Sequence, residues 1–69
     1  MTATQGRGPS QVVQASELRA GDFIVEREWT IIATKREEDG SYRVSATSAG
    51  GLIRQTLLPA DLLVEIKRR

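Results

Sequence analysis

The sequence predicts a small all-β domain of five short strands. Three observations lead there. Segments rich in β-branched and aromatic residues recur over residues 22–26, 29–35, 41–47, 52–58 and 62–66, and such residues suit a pleated, half-buried surface. Breaks carrying Gly or Pro separate the later segments, at Asp39-Gly40, Ala49-Gly50-Gly51 and Pro59-Ala60-Asp61. No stretch long enough for a stable helix places apolar residues at helical spacing.

Residues 1–11 hold Thr, Gly, Gln, Pro and Ser with one Arg, so they can bury almost nothing and are expected to form a flexible tail. The folded domain is expected over residues 12–69, beginning near Val12. Residues 15–22 read as one short helical turn on the N-terminal side. Ser16 can cap it, Gly21 can take the positive φ that ends it, and Leu18 anchors it in the core.

Residues 22–26 form the first expected strand, and Arg27-Glu28 separates it from residues 29–35. Asp39-Gly40 reads as a two-residue type I′ turn, which needs positive φ at both positions. Beyond it Tyr42, Val44 and Ala46 share one face, and Arg43, Ser45 and Thr47 the other. That turn sets Ala33 opposite Ala46, Ile31 opposite Ser48 and Lys35 opposite Val44. Trp29, Ile31 and Ala33 then face the core, while Ile24 and Ile32 are left exposed or covered by the tail. A three-residue loop would flip the strand and put Ile32 inside. After the Gly50-Gly51 turn, Pro59 breaks the fourth strand because it has no N–H for a ladder. The fifth strand covers residues 62–66, and Lys67-Arg68-Arg69 leaves the fold.

An open sheet this small leaves two edges and little core, so rolling into a barrel is expected. Gly21-Asp22 before the first strand, the two hairpins, and Leu58-Pro59-Ala60-Asp61 before Leu62-Leu63-Val64 are similar to an SH3-like barrel. That resemblance implies a five-stranded barrel with a single 3₁₀ turn at Pro59-Ala60-Asp61 before the last strand. Gly21-Asp22-Phe23-Ile24-Val25, Glu38-Asp39-Gly40-Ser41-Tyr42-Arg43-Val44 and residues 58–65 also resemble small bacterial SH3-like β-barrel proteins of unknown function. This second resemblance implies no activity. The row of surface aromatics that forms a polyproline groove in peptide-binding SH3 domains is absent, since Phe23, Trp29 and Tyr42 are the only aromatic residues.

Composition narrows the chemistry. With no Cys there is no disulfide, no thiolate zinc site and no thiol nucleophile. With no His the commonest general base and metal ligand are gone. Glu37-Glu38-Asp39 is too short a run to wrap a cation and reads as a charged hairpin tip. Ser45, Thr47 and Ser48 have no base beside them in sequence. The chain is therefore expected to be no enzyme and to hold no cofactor or metal. The first ten residues lack the apolar stretch of a signal peptide, and no run approaches the ~20 apolar residues of a membrane span. A cytoplasmic setting is expected.

What remains is a surface. Net charge is only +1, but residues 1–34 carry three basic and four acidic side chains (−1) and residues 35–69 carry seven and five (+2). The candidate binding surface is Trp29, with Arg36, Arg43 and Arg54 expected on the outward face of the meander, and Lys67, Arg68 and Arg69 at the C-terminal end. An Arg36–Arg43 cross-strand pair would place like charges together, which an anionic partner or neighbouring Glu residues would relieve. The expected function is a non-enzymatic module binding a protein partner or a second copy of itself. A nucleic-acid-binding module using the Arg face and basic C-terminus is the alternative. A further alternative is an oligomeric barrel enzyme with a shared site, for which Ile53-Arg54-Gln55-Thr56 faintly resembles the pore strand of tetrameric plasmid-encoded reductases.

Overall fold

The computed structural model describes residues 9–68. The domain is all-β, with one antiparallel sheet and a single 3₁₀ turn. The strands are β1 (Ser10–Gln14), β2 (Phe23–Ile24), β3 (Trp29–Arg36), β4 (Tyr42–Thr47), β5 (Ile53–Leu58) and β6 (Leu63–Lys67). Their order in the sheet is β1-β6-β2-β3-β4-β5. There are thus six strands among the described residues, not five. The unexpected one is β1, which pairs with β6 along its whole length, from Ser10 opposite Lys67 to Gln14 opposite Leu63. Among the described residues the first strand therefore begins at Ser10, inside the span expected to be tail; residues 1–8 of that span lie outside the described residues. β1 has only Val12 and Val13 as strand formers, and the neighbouring edge of β6 supplies the partner that makes it a strand.

The 3₁₀ turn, Ala15–Glu17, follows β1 directly, and Gln14 caps it in place of Ser16. The Gln14 N–H donates to Glu17 Oε1 at 2.9 Å, closing a capping box. Gly21 has φ 95°, as the turn into β2 requires. Before β6 the chain makes one hydrogen-bonded turn, Leu62 N–H to Pro59 O at 3.1 Å, at the place where a single 3₁₀ turn was expected.

The β3–β4 hairpin corrects the expected register. Glu37 N–H donates to Ser41 O at 2.8 Å and Gly40 N–H to Glu37 O at 3.0 Å. Gly40 has φ 90°, and Asp39 keeps negative φ. This is a three-residue loop closed by a left-handed glycine, not a two-residue type I′ turn. The odd loop flips the distal half of β3, so Thr34 pairs with Val44 and Lys35 with Arg43, while Ala33 pairs with Ser45 on the outer face and is exposed. Left alone, that flip would bury Ile32. A β-bulge between Ile31 and Ala33 inserts Ile32 as an unpaired residue and restores parity. Ile31 then meets Ala46 and is buried, while Ile32 stays 46% exposed.

The core draws on both ends of the sheet. Val13, Ala15, Leu18, Ile24, Ile31, Val44, Leu58 and Ile66 form one cluster, with Trp29 and Val64 packed against it. That cluster lies along the inner face of the sheet and draws on its strands from β1 to β5. Ile24, expected outside, is buried there, because β2 lies between β3 and β6 and its inner side chain has both neighbours around it. No ladder joins β1 to β5 among the described residues, which leaves both as edges.

Two outcomes check this packing. Ile31→Ala should cost about 3 kcal/mol of unfolding free energy, and Ile32→Ala less than ~1 kcal/mol, as read by denaturant melts. Equal losses at the two positions would remove the bulge. Glu28 sits in the β2–β3 loop at φ 57°, a left-handed conformation costly for a side-chain-bearing residue. Glu28→Gly should therefore stabilise the domain by about 0.5–1 kcal/mol, read as a rise in Tm.

Candidate interaction surface

The predicted basic surface does not assemble into one patch. Arg43 shares the outer face with Lys35, its cross-strand neighbour, and is paired with Glu37 (Nε to Oε2, 2.9 Å). Arg36 pairs across the hairpin with Tyr42, and Arg54 pairs with Ala46. Tyr42 and Ala46 alternate with Arg43 along β4, so Arg36 and Arg54 rise from the opposite side of the sheet. The three arginines expected on one face are split two against one: the three-residue β3–β4 loop turns Arg36 to the other side, and the β4–β5 register, which sets Arg54 opposite Ala46, places Arg54 there too. Trp29 is half-buried against the core, and the Arg27 guanidinium lies 4.9 Å from its ring centroid.

The C-terminal cations also change role. Lys67 is a strand residue, paired with Ser10 on one side and Phe23 on the other. Arg68 is held by a bidentate ion pair: Nε donates to Asp22 Oδ1 at 2.9 Å and Nη2 to Asp22 Oδ2 at 2.8 Å. Nη2 also donates to Glu17 O at 3.2 Å. Arg69 lies outside the described residues. Asp22, only 2% exposed, is the partner that the sequence reading missed. Its Oδ2 accepts the Arg19 N–H at 2.9 Å as well. Burial pushes the Asp22 carboxyl up, but the Arg68 hydrogen bonds, the Arg19 N–H and the two positive charges outweigh it, and the net shift is downward. Nothing local in the sequence signals this contact, since the partner lies 46 positions away.

The acidic hairpin tip is spoken for as well. Asp39 Oδ1 accepts the Ser41 N–H (2.9 Å) and Oγ–H (2.7 Å), which locks the turn and holds the carboxyl below its ordinary value. Among the described residues no three acidic side chains converge as a metal site. Every buried side-chain N or O among them has a hydrogen-bond partner.

The free edge of β5 is different. The Ser48 N–H donates to Leu52 O at 2.9 Å, which makes Ser48 and Leu52 a hydrogen-bonded pair. Bonded and non-bonded pairs alternate along an antiparallel ladder. Arg54, Thr56 and Leu58 therefore bond to β4, and the N–H and C=O groups of Ile53, Gln55 and Leu57 point away from the sheet. The side chains of those three residues share the outer face, where Ile53 is 64% and Leu57 53% exposed. Gln55 reaches back to Ser45 Oγ at 3.2 Å. Pro59 follows directly and ends the row. By the same alternation, counted from the Ala15 N–H to Leu62 O bond, Ser10, Val12 and Gln14 face outward on β1. There, however, Glu17 already occupies the Gln14 N–H. The β5 edge is thus the less obstructed of the two.

The ion pair generates a pH dependence. Asp22 binds its proton less tightly folded than unfolded, so its stabilisation is complete above the ordinary carboxylate range and is lost as pH falls through the lowered folded value. In denaturant melts from pH 6 to about pH 2, Asp22→Asn should be less stable at neutral pH, by on the order of 2 kcal/mol, and should show a shallower acid limb. Parallel limbs for the two proteins would remove the carboxylate from this role. No protein family, curated protein or solved structure matches the chain.

Proposed function

We propose that the domain is a non-enzymatic protein-interaction module that takes an extended partner segment onto the free edge of β5. The observation that carries this reading is the outward row of main-chain donors and acceptors at Ile53, Gln55 and Leu57, flanked by exposed apolar side chains of the same strand. Strand addition needs that combination: ladder hydrogen bonds for affinity and alternate side chains for selectivity. Natural edges are usually blunted by Lys, Pro or a bulge. Within residues 53–58 only Arg54 is charged, and its side chain lies on the inner side.

In this reading the curled sheet is an SH3-like barrel with its edges left apart. β2–β6 supply the five barrel strands, and β1 is added outside β6. The single core cluster drawn from both ends of the sheet supports it. Likeness to the small bacterial SH3-like proteins and a cytoplasmic setting belong to the same reading. No helix among the described residues is long and apolar enough to cross a membrane. Nucleic-acid binding is less well supported, because Arg43 and Arg68 are engaged by Glu37 and Asp22, and Arg36 and Arg54 lie on the other side of the sheet from Arg43.

Selection of displayed peptides against the domain tests the proposal. Enriched peptides should be extended and alternating, and their binding should be lost in Gln55→Pro. That change removes one outward N–H and leaves the β4 ladder intact. Their affinity should vary little with salt. The proposal fails if no peptide discriminates the variant, or if labelled DNA or RNA binds with steep salt dependence and equally to both proteins.

A further inference from the structure

The β5 edge is self-complementary, and this selects its occupant. Two β5 strands can pair antiparallel about a two-fold axis only where outward-pointing residues meet outward-pointing residues. Five registers, centred on residues 53 to 57, satisfy this. Centring the axis on Arg54 sets Arg54 directly opposite its own copy, placing like charges together. Centring it on Thr56 sets Ile53 opposite Pro59, which has no N–H to give. Centring it on Ile53 or on Leu57 runs half of each strand past the end of the other, into the Gly50-Gly51 turn or Pro59.

The register centred on Gln55 has none of these faults. Ile53 meets Leu57 of the second copy, Gln55 meets Gln55, and Leu57 meets Ile53. Every outward N–H and C=O of the three residues finds a partner. The two exposed apolar side chains of the strand cover each other on the outer face. On the inner face Arg54 stands opposite Thr56, which carries no charge.

Resting on the reading of β5 as an interaction edge, we infer that its partner is a second copy of this chain, joined through antiparallel β5–β5 pairing about Gln55 into a twelve-stranded sheet. One strand pair lies at the small end of specific interfaces, under ~1,200 Å² in total. The dimer is therefore weak and concentration-dependent, with a Kd on the order of tens of micromolar. A small domain with a modest core gains stability by it.

Sedimentation velocity from about 5 μM to about 1 mM reads the association. Position 55 is exposed, so charge can be introduced there without touching the core. Gln55→Lys and Gln55→Glu should each weaken self-association by roughly tenfold or more, because each sets like charges face to face across the axis. An equimolar mixture of the two should recover at least the wild-type affinity. Amide exchange at Ile53, Gln55 and Leu57 should slow as wild-type concentration rises. A wild-type chain that stays monomeric throughout would overturn the inference. So would a dimer that both charged variants form as well as wild type does. If the chain is monomeric while a selected peptide still binds wild type and not Gln55→Pro, the second copy is excluded and the interaction edge stands. If peptide binding fails as well, the edge itself is excluded.

Discussion

Asp22 is where the two ends of the chain are fastened. Its carboxylate accepts two N–H groups from Arg68 and one from the main chain of Arg19. Its own carbonyl accepts the Ile31 N–H at 2.8 Å, and its N–H donates to Arg19 O at 3.1 Å. One residue therefore joins the turn after the 3₁₀ helix, the start of β2, the middle of β3 and the end of β6. Burying a carboxylate is costly unless charge and hydrogen bonds compensate it, and here both do. The consequence is positional. β6 is held between β1 and β2, and Ile66 is fully buried in the shared core.

That arrangement decides what the surface can do. The clamp withdraws Arg68 from the solvent-facing charges, and Glu37 engages Arg43. Two of the seven cations in the C-terminal half of the sequence are thus spent on structure. The apolar character of the surface is concentrated at the sheet's two ends: Leu52, Ile53 and Leu57 at the β5 end, Val12, Leu62 and Leu63 at the β1–β6 end. The 3₁₀ capping box intrudes on the β1 edge, and among the described residues nothing comparable covers β5. A free, nearly uncharged strand edge is a hazard for a protein that does not use it, which is why interaction through β5 explains more of the surface than anion binding does.

Much of the β-structure was legible because it is local. Residues 42–47 alternate cleanly, Gly40 and Gly51 take the positive φ their turns require, and Pro59 ends β5. The register of β3 was not legible. Choosing between a two-residue and a three-residue loop over Asp39-Gly40 reverses every side chain beyond it. The bulge at Ile32 then reverses them again, for a reason that lies in the burial of Ile31 against Ala46 and not in any local signal. The two changes cancel near Trp29 and do not cancel near Arg36, so Trp29 and Ile31 keep their expected side of the sheet while Ala33 and Arg36 do not. β1 was missed because its strand character comes from β6.

By itself, the sequence determined the all-β class, the main turns, the absence of thiol and imidazole chemistry, and most of the residues able to fill a core. These follow from composition and from the period of two that a strand imposes on its own side chains. Only the tertiary structure decided that Ser10–Gln14 would be a strand, that Asp22 would capture Arg68, and that β5 would keep a free edge. Each of those depends on groups brought together from distant parts of the chain. Main-chain hydrogen bonds and ion pairs of that kind carry almost no signature in the local pattern, because the partner, not the neighbour, sets their energy.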